Sequence, residues 1–236
     1  IKARSIETLS IEQSSWLSIW LWTLLVSLIS LILVGGWTRL TDSGLSIVEW
    51  KPITGMIPPF TSEGWIVEFE KYKSIPEFKL VNFDMTMDEF KFIYWWEWGH
   101  RQLARFIGLV WFVGFLILWI TRQIPERWTL YFFGIGLLGA LQAFLGWWMV
   151  SSGLDGQVVD VFSYRLAIHL TMAFIILALI FWAILFHSEN SAKIFESRRH
   201  RNKVSVNILA GLGVLCYVQL ALGALVAGID AGRAYN

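Results

Sequence analysis

The sequence predicts an all-α integral membrane protein, a four-helix transmembrane bundle plus a fifth helix that begins a second, similar half. Hydrophobic residues fill 56% of the 236 positions against 16% charged, and 15 are tryptophan, which is far too apolar and aromatic for an ordinary soluble domain. The apolar residues gather into five segments, 16–37, 98–120, 128–150, 166–186 and 204–227, each near the roughly 20 residues that cross a hydrocarbon core. None alternates as a barrel strand would, so helices are expected. A net charge of +1 gives no basic surface for nucleic acid.

Taken in order, the first span follows Lys2 and Arg4. Arg122 and Arg127 separate the second span from the third, and Lys193, Arg198, Arg199, Arg201 and Lys203 separate the fourth from the fifth. Short cytoplasmic segments retain Lys and Arg, so these segments are expected inside, with a cytoplasmic N-terminus and Asn236 outside. Indoles favour both interfaces. Trp16, Trp119 and Trp128 mark the inner one, and Trp37, Trp98, Trp147 and Trp148 the outer. Residues 39–92 form the long outer loop, in which Pro52, Pro58, Pro59 and Pro76 exclude a continuous helix. Its aromatics Trp50, Phe60, Trp65 and Phe69 suit a lid on the outer surface.

Glycines at 99, 108 and 114 in the second span, and at 134, 136, 139 and 146 in the third, permit close approach of helices. Residues 1–186 thus read as an amino-terminal four-helix half, 187–203 as a basic cytoplasmic link, and 204–236 as the opening of an incomplete second half. Gly35, Asp42 and Gly44 match Gly223, Asp230 and Gly232 at a constant offset, which suggests that the fifth helix restarts the first. Gly153-Leu154-Asp155 also resembles Gly228-Ile229-Asp230, so turn chemistry shared by outer helix ends is the competing explanation. The first residue is Ile and the last span ends close to Asn236, the pattern expected of a piece of a longer protein. Cys216, the single cysteine, has no disulfide partner within the chain and leaves the redox compartment unread.

Ionisable groups cluster at the outer boundary of the second span. Only 106–120 is uninterrupted apolar sequence there, so a full crossing draws Arg105, Arg101 and His100 into the membrane boundary, where such groups default to function. His100 and His169 fall at matched depth, roughly 3 to 8 Å below the starts of two spans that run in the same direction. Neutral imidazole is a good axial ligand for haem iron, and the core between facing helices is a usual cofactor position. A single histidine at a helix end more often makes an interfacial hydrogen bond; the matched pair favours ligation. Glu97, three residues before His100, shares its face and suits either proton relay or an i, i+4 ion pair with Arg101. Arg101, Arg105 and Arg165 suit either haem propionates or lipid phosphate. His187 and His200 read as solvated.

Six collinear stretches carry a resemblance: GGWTRLTDSGLS at 35–46, WKPITG at 50–55, EWGHR at 97–101, LGWWMVSSGL at 145–154, YRLAIHL at 164–170 and AGRAYN at 231–236. Together they resemble the haem A synthase family, particularly its proteobacterial and mitochondrial form. The resemblance implies eight helices in two similar four-helix halves and oxidation of the C8 methyl of haem O to a formyl group, giving haem A for terminal oxidases. It implies that His100 and His169 embrace the haem O substrate, with Glu97 the acidic residue of catalysis. A resident haem b belongs to a histidine pair of the second half, which has no counterpart here. The family's outer-loop cysteine pair, present in some bacterial members, is also missing. The same resemblance implies a bacterial inner membrane, or the mitochondrial inner membrane if eukaryotic, and admits haem O synthase, oxidase assembly proteins and further copies of the chain as partners. A b-type electron carrier using the same histidines, or a haem-handling assembly protein without turnover, are the competing functions.

Overall fold

The computed structural model describes residues 14–154, 158–188, 196, 200 and 202–231. Lys2, Arg4, Asp155, Lys193, Arg198, Arg199, Arg201, Gly232 and the closing motif beyond it lie outside the described residues. The chain runs α1 (Ser15–Leu40), a 3-10 turn (Thr54–Met56), α2 (Ser62–Lys73), α3 (Pro76–Leu80), α4 (Met87–Ile120), α5 (Glu126–Leu154), α6 (Ser163–Ser188) and α7 (Lys203–Gly228). Among the described residues all regular structure is helical. α1, α4, α5, α6 and α7 are long and apolar enough to cross a membrane, so this is a multi-pass membrane protein.

Local chemistry sets the helix limits. The Ser14 side chain caps α1 by accepting from the Leu17 amide, and its hydroxyl also donates to Gln123 Oε1 at 2.5 Å, tying the start of α1 to the α4–α5 turn. α4 begins at Met87, eleven residues before the apolar span, because Thr86 and Glu89 form a reciprocal capping box that fixes a helix start regardless of hydrophobicity. The last residues of the 39–92 stretch are therefore helical, and α4 projects about three turns beyond the membrane. Pro76 breaks no helix; it occupies the first turn of α3, where its missing N–H is harmless.

α1 lies along α4 and α6, while α5 and α7 pack on α6. Within the membrane-spanning core, side chains bridge neighbouring helices by donating to backbone carbonyls, among them Trp20 Nε1 to Val110 at 3.0 Å, Trp111 Nε1 to Phe132 at 3.3 Å, and Tyr131 Oη to Leu179 at 2.7 Å. In lipid such polar contacts act as helix glue, each worth about 0.6 kcal/mol. The glycines divide. A Cβ on Gly114 would meet the Trp20 ring at 2.2 Å and one on Gly136 the Trp111 ring at 1.9 Å, whereas Gly99, Gly108, Gly134 and Gly139 face open space. The expected close approach is thus an indole seated on a bare helix face, and only some of the glycines provide it.

Packing is concentrated in two clusters. One fills the bundle end that holds the α1 start, around Leu17, Trp20, Leu24 and Leu28 of α1, Leu118, Phe132, Ile135 and Ile176 to Ile184. His187 belongs to this end and is a correction: at 6% exposure it is buried, with Nε2 3.0 Å from the Ser14 carbonyl oxygen, because α6 runs on past the bundle core and lays its last turn against the α1 start. His200 is exposed. The second cluster, Leu45, Phe69, Tyr72, Ile75, Phe90, Ile93 and Tyr94, joins the 41–86 loop to the projecting part of α4. The lid therefore folds around its own aromatic core.

Between the clusters lies a layer with few buried side chains. None is buried between Leu28 and Thr38 in α1, Glu97 and Leu118 in α4, Ile135 and Ser152 in α5, or Ala167 and Ala173 in α6. Side chains in these intervals are half-buried or face the lipid, and several of them, among them Leu31, Val110, Trp111 and Leu138, pack against the first cluster.

Gly114→Ala and Gly136→Ala are expected to destabilise the bundle by about 1–3 kcal/mol through overpacking. Gly108→Ala and Gly139→Ala are expected to be neutral or to gain up to about 1 kcal/mol from helix propensity. Thermal unfolding of the four variants in one detergent checks the contrast.

Candidate functional site

His100 and His169 both stand in the layer between the clusters, half-buried and within electrostatic range of each other. Their depths do not follow from their helix starts. His100 lies about 20 Å along α4 and His169 about 9 Å along α6, because α4 projects so far; helix packing is what brings them within range of each other. Each ring rests where a neighbouring helix has no side chain. A Cβ on Gly35 of α1 would stand 3.0 Å from His100 Nε2, and one on Gly146 of α5 would stand 2.9 Å from His169 Cε1. Gln142 on α5 donates from Nε2 to the His169 carbonyl at 2.9 Å and lies 3.5 Å from the imidazole Nε2. His169 Nδ1 and Gln142 Oε1 are buried without a hydrogen-bond partner.

Glu97, one turn above His100, is 3% exposed and fully engaged. Its Oε2 accepts from Ser46 Oγ and the Ile47 amide, both at 2.7 Å, and its Oε1 accepts from Arg101 Nη2 at 2.5 Å. Arg101 also donates to the carbonyls of Ile47 at 2.9 Å and Glu49 at 3.3 Å, and lies over the Trp50 ring. The i, i+4 pair therefore forms, and it grips the loop. Hydrogen bonds from Lys51 and Lys71 hold the Glu49 carboxyl below its ordinary range.

The other two arginines are partly engaged. Arg105 donates from Nε to the Pro52 carbonyl at 2.9 Å and from Nη2 to the Lys51 carbonyl at 3.1 Å, leaving Nη1 buried and unpartnered. Arg165 donates to the Trp148 carbonyl at 2.6 Å and lies over the Trp148 ring at 4.4 Å. The structure thus brings Glu97, His100, Arg101 and Arg105 together on one face of α4 under the loop, with His169 on α6 across the bundle and within electrostatic range of His100.

Four contributors were missed in the sequence: Gly35, Gln142, Ser46 and Arg39. The first three carry no local signal, since their partners are distant in the chain. Arg39 did carry one, a lone cation at the end of an apolar span. It binds Asp42 Oδ1 at 3.0 Å, Asp160 Oδ1 at 3.6 Å, Asp230 Oδ1 at 3.0 Å and the Ala227 carbonyl at 3.0 Å, fastening together the ends of α1 and α7 and the segment before α6. Beside this hub, Glu77 of α3 is buried with Oε2 unpartnered. Burial, then the carboxylates Asp160, Glu97 and Asp42, push its carboxyl up to about 8 against a smaller opposing pull from Arg39.

The residues fit a large flat ligand held between imidazoles: both rings sit against bare glycine faces, and the buried atoms His169 Nδ1, Gln142 Oε1 and Arg105 Nη1 lack hydrogen-bond partners. Among the described residues no cluster of three or more His, Cys, Asp or Glu could hold a bare metal ion.

The family model COX15-CtaA, described as cytochrome oxidase assembly protein, matches residues 18–236. The chain is 54% identical over 218 residues to a protein of Dinoroseobacter shibae named Heme A synthase, covering 92% of this chain and 57% of that one. It is 52% identical to the protein of that name from Paracoccus denitrificans, with the same coverage, and 51% identical to that from Cereibacter sphaeroides ATCC 17025, covering 92% and 56%. The chain thus spans a little over half the length of these relatives. No solved structure matches it.

Because Glu77 titrates about 8 when folded and near 4.5 when unfolded, its contribution is favourable below 4.5 and is lost as pH rises through 8. The folded protein is expected to lose on the order of a few kcal/mol across that window, and Glu77→Gln to flatten this part of the profile. Denaturant unfolding at several pH values between 5 and 9 checks it; an unchanged slope in the variant rules Glu77 out.

Proposed function

The chain belongs to the COX15-CtaA family of cytochrome oxidase assembly proteins, and from that premise we propose that it carries the haem O site of a haem A synthase. In this reading the reaction oxidises the C8 methyl of haem O to a formyl group. The observation that carries the site is that His100 and His169 each rest against a bare glycine on an adjacent helix. His100 and His169 would hold the porphyrin iron, which supplies the redox chemistry no side chain can. Gln142 sets the position of the His169 backbone and stands beside its ring, and Gly35 sets how close His100 lies to α1.

Converting a methyl to a formyl group takes up one oxygen atom and gives up four electrons with accompanying protons, so the reaction needs an oxygen donor and an electron acceptor from outside this chain, and the site needs a carboxylate that can take a proton. Glu97 is proposed as that group. Its present partners also hold the loop over the histidine layer, so a proton can reach it only as Arg101 or Ser46 lets go. Arg105, with one buried nitrogen free, is proposed to meet a propionate, flanked by Arg101 and Arg165. The haem b implied by the family is assigned outside the described residues, since the remaining described histidines are His187, bonded at the opposite end of the bundle, and exposed His200.

The same reading places residues 1–186 in one haem-binding half, 187–203 in a basic link and 204–236 at the start of a similar half. Supporting it, Asp42 and Asp230 share φ of 49° just after the ends of α1 and α7. We place the protein in the bacterial inner membrane with a cytoplasmic N-terminus and the histidine layer on the outer side. Haem O synthase and oxidase assembly proteins are the partners this placement allows.

Full-length protein in membranes supplied with haem O is expected to yield haem A on pigment extraction. His100→Ala and His169→Ala should lose bound haem O, while Glu97→Ala keeps pigment and yields at most about a hundredth of the product, the usual weight of a general acid–base group. Normal product from Glu97→Ala would remove its role, and unaltered haem O from the wild type would leave a carrier or assembly function instead.

A further inference from the structure

Residues 52–62, PITGMIPPFTS, contain no ionisable side chain, yet they leave Ile53 74%, Ile57 68% and Phe60 81% exposed, with Met56 half exposed. For a segment in water this would be an unexplained apolar patch. Its attachment places it lower. The Met56 carbonyl accepts from Gln102 Nε2 at 2.6 Å, and the carbonyls of Lys51 and Pro52 accept from Arg105, so the segment is level with residues 102–105 of α4.

Two rulers put that level inside the bilayer. From Ile120 back to Phe106 the helix spans only about 22 Å at 1.5 Å per residue, short of the roughly 30 Å hydrocarbon core; residues 101–105 must complete the crossing. Independently, Gly35 of α1 abuts His100, and the apolar run of α1 continues past it to Trp37. The membrane boundary therefore lies at or above His100, and Gln102 and Arg105 lie beneath it.

We propose that residues 52–60 are a re-entrant element inserted into the lipid leaflet on the histidine side, with Ile53, Met56, Ile57 and Phe60 resting among the upper acyl chains. Its backbone is built for that solvent. Non-helical chain at membrane depth must have its polar groups satisfied from within the protein. Pro52, Pro58 and Pro59 remove three N–H donors, the amides of Gly55, Met56 and Ile57 donate to the carbonyls of Lys51, Ile53 and Thr54, and Gln102 and Arg105 donate to the carbonyls of Met56, Pro52 and Lys51. The segment thus covers Gln102 and Arg105 of α4. The placement depends on the membrane frame alone and holds whatever chemistry the site performs.

The test uses full-length protein in liposomes of phosphatidylcholine and phosphatidylglycerol, with Cys216 and any other native cysteine replaced by serine. Ile57→Cys and Phe60→Cys are compared with Glu70→Cys, on the exposed face of α2 about level with Phe90. An environment-sensitive fluorophore at 57 or 60 is expected to be quenched by lipids carrying a nitroxide near the top of the acyl chain. A membrane-impermeant maleimide should label these sites roughly tenfold more slowly than position 70, as partial burial of one apolar side chain requires. Quenching and labelling equal to those at position 70 would overturn the proposal and return the segment to water.

Discussion

One carboxylate ties the loop to the helix that carries the site. Glu97 is buried, and its cost of burial is offset by the three donors that surround it: a hydroxyl and an amide from the 46–47 turn and the guanidinium one turn along its own helix. A buried charge survives only when paired and hydrogen-bonded, so helix and loop are fixed by a single requirement. Arg101 extends the grip to the carbonyls of Ile47 and Glu49, and Arg105 to those of Lys51 and Pro52. The cations expected at the membrane boundary are thus the means by which an irregular loop acquires backbone partners there.

Below that clamp the bundle is deliberately uneven. At the end holding the α1 start, indoles fill the faces of Gly114 and Gly136 and leucines close the core. In the histidine layer the glycines that matter, Gly35 and Gly146, face imidazoles. Packed end, histidine level and aromatic lid follow one another along the bundle. Arg39, with aspartates from three segments, fastens α1, α6 and α7 just beyond it.

Much of this was legible in the chain. Five spans were visible because length and apolarity are local, additive properties that the bilayer reads directly. His100, His169 and Glu97 stood out because ionisable residues near an apolar span are costly enough to require a reason. The start of α4 was misplaced because a capping box, not hydrophobicity, sets it, and His187 was taken as solvated although α6 carries it into a contact with Ser14.

The sequence by itself determined the class, the spans and which side chains must be accounted for, since each rests on the transfer energy of a residue and its near neighbours. Tertiary structure decided what those residues touch. That Glu97 serves Ser46 and Ile47, that Gly35 makes room for His100, and that two histidines at unequal distances from their helix starts come within range of each other all depend on segments that meet across at least 50 residues of chain. No local pattern encodes such meetings, because the packing of a whole bundle fixes them at once.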